Sequence, residues 1–302
     1  MKPEPPPGRA RRGARIPRTA AVAFVLLCFL PGPSPGASPG PPAVAPADGP
    51  AVLLASSRAG LPPDTTRWND ARTMRLVDRA IRARRHAWSD SSLRGFAARA
   101  QGHVYYLAGM EGEDEPGGSP QIVRADQVAL DVRWQAPDRA VQTIVGRRSE
   151  ARLPSGIRYH IDHLTVVLAN YGDRIRMGEG TEVRDVLHPL SAGGPDHYDY
   201  RLADSMRIRD AEGETRLHRI EVRPKSSSTP GVLGDVHVEA GSAAVARMRF
   251  TFTHPAYRDA DLARIEVDLE NARWEGGYWL PARQSTTIRR ESNWLDFPLA
   301  GV

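Results

Sequence analysis

The chain has 302 residues, 40% hydrophobic and 25% charged, with 41 Lys and Arg against 36 Asp and Glu and a single cysteine. This composition excludes a disordered polyelectrolyte and suffices for one generous folded domain, and one cysteine excludes an internal disulfide framework. The basic excess sits at the N-terminus: residues 1–47 hold six of the Lys and Arg and one acid, leaving a neutral remainder that gives no support to nucleic-acid binding.

Arg9, Arg11, Arg12, Arg15 and Arg18 precede an uncharged apolar run from Thr19 to Leu30, and a Pro/Gly/Ala/Ser stretch follows. That order is the layout of a secretory signal peptide, and the run is shorter than the roughly 20 residues a bilayer span needs. Ala45-Pro-Ala47 offers small residues for cleavage, which places the signal peptide at 1–47 and the mature start near Asp48. Val25-Leu-Leu27 before Cys28 lacks the small residues of a lipid-attachment site. The expected address is therefore exported. Residues 48–68 read as a flexible linker, and 69–302 as a single domain.

Asn69 or Asp70 can cap a helix over residues 70–88, in which Ala71, Met74, Val77, Ile81 and Trp88 recur at three- and four-residue spacing with arginines opposite. Residues 93–108 alternate through Phe96, Ala98, Ala100, Val104 and Tyr106 as a long strand. The acidic, Gly-rich segment Glu111–Pro120 is a loop without the fixed ligand spacing of a calcium site. Gln121–Trp134 and Ala140–Val145 form a strand pair around the turn Ala136-Pro-Asp-Arg139. Ile157–Leu168 fits helix or strand, and a loop-rich stretch leads to a strand from Tyr198 to Ile208. A meander over 216–290 follows. Its clearest strand, Leu262–Glu270, sets Ala263, Ile265, Val267 and Leu269 against Arg264, Glu266, Asp268 and Glu270, the period-2 mark of one packed and one wet face. The predicted class is mainly β (α+β): a curved antiparallel sheet covered by one or two helices.

Candidate chemistry is sparse. His160, Asp162 and His163 in Tyr159-His-Ile-Asp-His163 are weak candidates for metal binding or acid/base work, since the two imidazoles share a face only on a helix. No serine elbow, Walker loop or dinucleotide fingerprint is present, and no cofactor and no enzymatic activity is expected. Trp274, Tyr278 and Trp279 straddle Glu275-Gly-Gly277; such aromatics either pack across a hairpin or, with Tyr159, line an apolar cavity as ligand-binding residues.

The segments Leu217-His-Arg-Ile-Glu-Val-Arg-Pro-Lys225, Gly231–Glu239, Val245–Phe250 and Trp279-Leu-Pro281, with the order helix, strands, loop-rich middle and meander, carry a resemblance. The chain resembles bacterial envelope proteins with a Lol-type, lipoprotein carrier-like half-barrel, in which helices lid an apolar groove. It also looks like envelope proteins of unknown function that join such a sheet to an outer-membrane barrel. The resemblance spans roughly 70–300 and implies a fold and an address in the periplasm or at the outer-membrane periphery of a bacterium, without catalytic residues. It lacks a lipid-bearing cysteine, and Trp294-Leu-Asp-Phe-Pro298 reads as the approach to a further element, as in an incomplete copy of a longer protein. The functional expectation is an exported binding module whose concave face holds a lipid, acyl chain or lipoprotein. The alternative is an interaction domain of an outer-membrane assembly, partnered by an outer-membrane protein. A metal-dependent hydrolase ranks last.

Overall fold

The computed structural model describes residues 18–31, 67–89, 93–110, 121–136, 139–151, 167, 171–177, 182–210 and 213–293. A helix, α1 (Ala71–Ser89), starts where the capping signal lies. Asp70 Oδ1 accepts from the N–H groups of Arg72 at 2.9 Å and Thr73 at 3.0 Å, and Oδ2 accepts from the Thr73 hydroxyl. These bonds satisfy donors that the first helical turn leaves unpaired. Burial is the largest single influence on the Asp70 carboxyl and pushes it up, but these bonds and the Arg72 charge together hold it below its usual range. Asn69 is not the cap. It takes a left-handed φ of 57°, a conformation Asn tolerates better than most residues, and turns the chain onto the sheet.

The wing of the sheet that follows α1 is β2 (Gly95–Met110), β3 (Gln121–Gln135) and β4 (Arg139–Ala151). The meander is β7 (Tyr198–Asp210), β8 (Gly213–Pro224), β9 (Val232–Glu239), β10 (Val245–Phe252), β11 (Leu262–Arg273) and β12 (Trp279–Asn293). Between them lie a two-stranded ribbon, β5 (Arg174–Ile175) with β6 (Val186–Leu187), and a one-turn helix α2 (Gly194–His197). The apolar run expected to be a leader forms β1 (Arg18–Pro31) and joins the wing to the meander. The result is one open antiparallel sheet of ten strands among the described residues, ordered β4-β3-β2-β1-β12-β11-β10-β9-β8-β7. The fold is mainly β, as expected. Because β1 is antiparallel to both β2 and β12, these two flanking strands run parallel to each other.

The core forms where α1 and the 171–190 segment cover the meander. Leu76, Val77, Ala80 and Ile81 of the helix, Ile175, Met177, Val183, Val186 and Leu190 of the segment, and Tyr200, Ile220, Val236, Met248, Phe250, Ile265 and Val267 of the strands form one buried cluster. Arg84 ties the two covering pieces together. Its buried guanidinium donates to Asp173 Oδ1 at 3.1 Å and to the carbonyls of Leu190, Tyr171 and Gly172. The opposite face of the meander carries ion pairs between neighbouring strands, among them Arg201–Glu221, Arg223–Asp199, Arg249–Asp235 and Arg247–Asp268. The expected dry and wet faces are thus present, with one shift of register. A bulge between Leu262 and Arg264 buries Leu262 and leaves Ala263 exposed, after which Ile265, Val267 and Leu269 point inward as read.

Candidate functional site

The alternation in residues 96–106 has a structural outcome that sets β2 and β3 apart from the meander. In register, Phe96 opposes Trp134, Ala98 Val132, Ala100 Leu130, Gly102 Val128, Val104 Asp126 and Tyr106 Arg124. Directly opposed residues share a face, so these twelve form one strip. At about 3.3 Å per residue, the apolar part from Phe96 to Val104 is ~26 Å long. Phe96 and Trp134 stack at 5.7 Å between ring centroids and close one end. Ala100, Val104, Tyr106, Val128, Leu130, Val132 and Trp134 are all buried, yet none belongs to the cluster beneath α1. The strip is dry, and across Ala23 of β1 its Tyr106 shares a face with Ile288 of that cluster.

Its other end is ionic. The Asp126 side chain is 0% exposed and accepts two bonds from Arg124, from Nε and Nη2 at 3.0 Å each, and a third from Arg147 Nη2 at 3.3 Å. The Arg124 guanidinium carbon also lies 5.3 Å from the centroid of the Tyr106 ring, a distance at which the ring face attracts a cation. Arg147 reaches the cluster from β4, opposite Val128, and is 48% exposed. A buried carboxylate is tolerated here because two guanidiniums meet it, one in a two-bond fork. Arg147 extends that positive character to solvent.

Of the residues predicted for ligand or metal binding, Tyr159, His160, Asp162 and His163 lie outside the described residues, as does residues 48–66 of the predicted linker. Among the described residues no group of three His, Cys, Asp or Glu is arranged to hold a metal. Trp274 and Tyr278 bracket the β11–β12 turn: the Trp274 N–H donates to the Tyr278 carbonyl at 2.8 Å and the Gly277 N–H to the Trp274 carbonyl at 2.9 Å. Gly276 and Gly277 supply φ values of 83° and 81°, which residues with a Cβ rarely adopt. Trp279 opens β12 opposite Arg273. All three aromatics are half-buried, and their shared role in the described structure is to frame the hairpin. Sequence reasoning missed Arg124, Asp126 and Arg147. Their signal was a lone acid, Asp126, at an inward position of an otherwise apolar alternation.

One further pair has reactive elements. The Ser205 hydroxyl lies 2.7 Å from His218 Nδ1 across β7 and β8. Burial, followed by the charges of Arg216, Arg72 and Arg79, pushes the His218 imidazole below its usual range, so it is neutral at pH 7. Among the described residues no third group orients the ring by a hydrogen bond, and the pair serves as a cross-strand link.

No curated protein and no solved structure matches the chain. A family of unknown function (DUF5686) matches residues 114–298, from just before β3 to beyond β12. That is more than half of the chain, which therefore belongs to this family of unknown function.

Proposed function

We propose that the protein is an exported cell-envelope binding module that holds a lipid or acyl chain, free or carried by a lipoprotein, against the inner face of its sheet. The observation that carries this reading is the strip on β2 and β3, which is dry and about the length of a long acyl chain. The Arg124–Asp126–Arg147 cluster at its end suits an anionic head, because guanidiniums bind carboxylate and phosphate in planar two-bond geometry. The leader-like N-terminus and the likeness to Lol-type carriers support the envelope address.

The test is extraction of the protein, purified from a bacterial envelope fraction, with organic solvent and mass spectrometry of the extract, together with displacement of an apolar fluorescent probe by a long-chain fatty acid. Stoichiometric acyl lipid and displacement are expected, both weakened by Val128→Lys within the strip. Lipid-free protein that leaves the probe unchanged removes the reading. An interaction domain without a small ligand is the second reading, favoured by the exposure of the apolar Val141, Ile144 and Val145 on β4.

A further inference from the structure

Among the described residues of α1, every exposed one but Ala71 and Asp78 is an arginine: Arg72, Arg75, Arg79, Arg82 and Arg85. At about 3.6 residues per turn and about 1.5 Å per residue, these five fall within ~140° of arc and run for ~20 Å along the helix. The opposite arc, with Thr73, Leu76, Val77, Ala80, Ile81 and Arg84, is buried.

The row keeps an excess of positive charge. Arg79 donates to the carbonyls of Ala240 and Gly241, acceptors that carry no charge. Asp78 lies 3.5 Å from Arg82, but the two side chains are 63% and 66% exposed, so water screens the pair. Two further acids lie close by. Asp70 caps the helix, and Glu239 accepts from Gly241 and Ser242 in the turn that Arg79 touches. Exposed Arg216 adds a sixth cation beside them. The balance is felt at His218, where burial, then the charges of Arg216, Arg72 and Arg79, push the imidazole down against the opposing charge of Glu239.

We propose that the outward face of α1 is a docking surface for an anionic lipid bilayer, laid side-on against the plane of the phosphates. The apolar arc of α1 is committed to the core, so the helix does not insert as interfacial amphipathic helices do, and the contact is electrostatic. Composition selects the occupant. Among the described residues of α1 no exposed apolar side chain exceeds Ala71, whereas a protein interface draws most of its affinity from large buried anchors. A phosphate plane needs only guanidiniums, which meet phosphate in planar two-bond geometry. The charge balance of residues 48–302 is zero, which opposes nucleic acid as the partner. The surface uses nothing from the strip on β2 and β3, so the two readings stand or fall separately.

The test is flotation of the full chain with vesicles of phosphatidylglycerol and phosphatidylcholine, against vesicles of phosphatidylcholine alone. Binding to the anionic vesicles only is expected, and added salt should release it. Arg72→Glu with Arg75→Glu and Arg82→Glu weakens binding at least about tenfold, leaves the thermal midpoint in place because all three side chains are exposed, and confers binding to vesicles that carry a cationic lipid. Arg207→Glu with Arg209→Glu and Arg264→Glu makes the same change in net charge at exposed strand positions and leaves binding unchanged. The arginines at residues 9–18 are common to both variants and cancel from the comparison. The proposal is overturned by equal binding to the uncharged vesicles, by equal losses from the two triple variants, or by binding through the same three arginines to duplex DNA or polyglutamate that is tighter than binding to the vesicles.

Discussion

Gln284 holds both backbone groups of Val167: its Oε1 accepts the Val167 N–H at 2.9 Å and its Nε2 donates to the Val167 carbonyl at 2.6 Å. A buried side-chain amide here stands in for a neighbouring strand and fixes Val167 against the core. Gln284→Ala is expected to lower stability by about 1–3 kcal/mol, the cost of stranding buried backbone groups. Amide exchange at Val167 should accelerate while exchange in β9 and β10 stays slow; unchanged protection at Val167 would show that the residue is held elsewhere.

The Asp126 cluster should respond asymmetrically. Asp126→Ala takes the paired carboxylate from the largely buried Arg124, and roughly 3–5 kcal/mol of stability should be lost. Arg147→Ala removes a half-exposed partner and should cost under about 1 kcal/mol. Urea unfolding of the two variants measures both, and equal losses would contradict the geometry.

Acid should destabilise the protein in two stages. The His218 imidazole is held below its ordinary value of 6.5, chiefly by burial, so the unfolded chain takes up that proton before the folded one does. Its contribution is therefore present above pH 6.5 and falls away as pH drops below it. The Asp235 carboxyl is held below its ordinary value of 3.8: burial opposes this, but the hydrogen bond with His237 and the charges of His237 and Arg249 prevail. Its contribution is present above pH 3.8 and disappears on further acidification. Urea midpoints between pH 7.5 and 3 should fall in both windows, and His218→Gln should flatten only the upper one.

Gly234 permits a close approach of β9 to β10. A Cβ there would lie 2.0 Å from the Arg249 carbonyl oxygen and 2.7 Å from the Phe250 Cα, and backbone cannot swing aside as a side-chain tip can. Gly234→Ala should cost at least about 1–3 kcal/mol, the usual scale of overpacking, with loss of amide protection at Arg249 and Phe250. A thermal midpoint equal to that of the parent would mean the strands separate freely.

Periodicity made much of this architecture legible. The spacing of Met74, Val77 and Ile81 marks α1, and the alternations at 96–106 and 265–269 give inward faces that the structure retains. What periodicity does not encode is a local slip of register: a single bulge turned Leu262 inward and Ala263 outward. The predicted strand ending near Val145 continues to Ala151, since Arg147, Arg148 and Ser149 look like loop residues until Asp126 on the next strand gives Arg147 a partner. The ionic end of the strip was hidden for the same reason, because it assembles from β3 and β4 through pairing that no short motif carries. Trp274, Tyr278 and Trp279 drew attention as neighbours in sequence, whereas Gly276 and Gly277 spend that proximity on a turn.

The 14 residues of β1 have two readings that exclude each other in any one molecule. A leader that is cut away cannot also be the strand that joins wing to meander, and β2 and β12, which run the same way, cannot replace it by simply meeting in the antiparallel ladder each now makes; they would have to form the slanted parallel one instead. Were β1 cut away, the event would be topological as well as a matter of address: nine of the ten described strands of the sheet would remain, with a junction of a different kind.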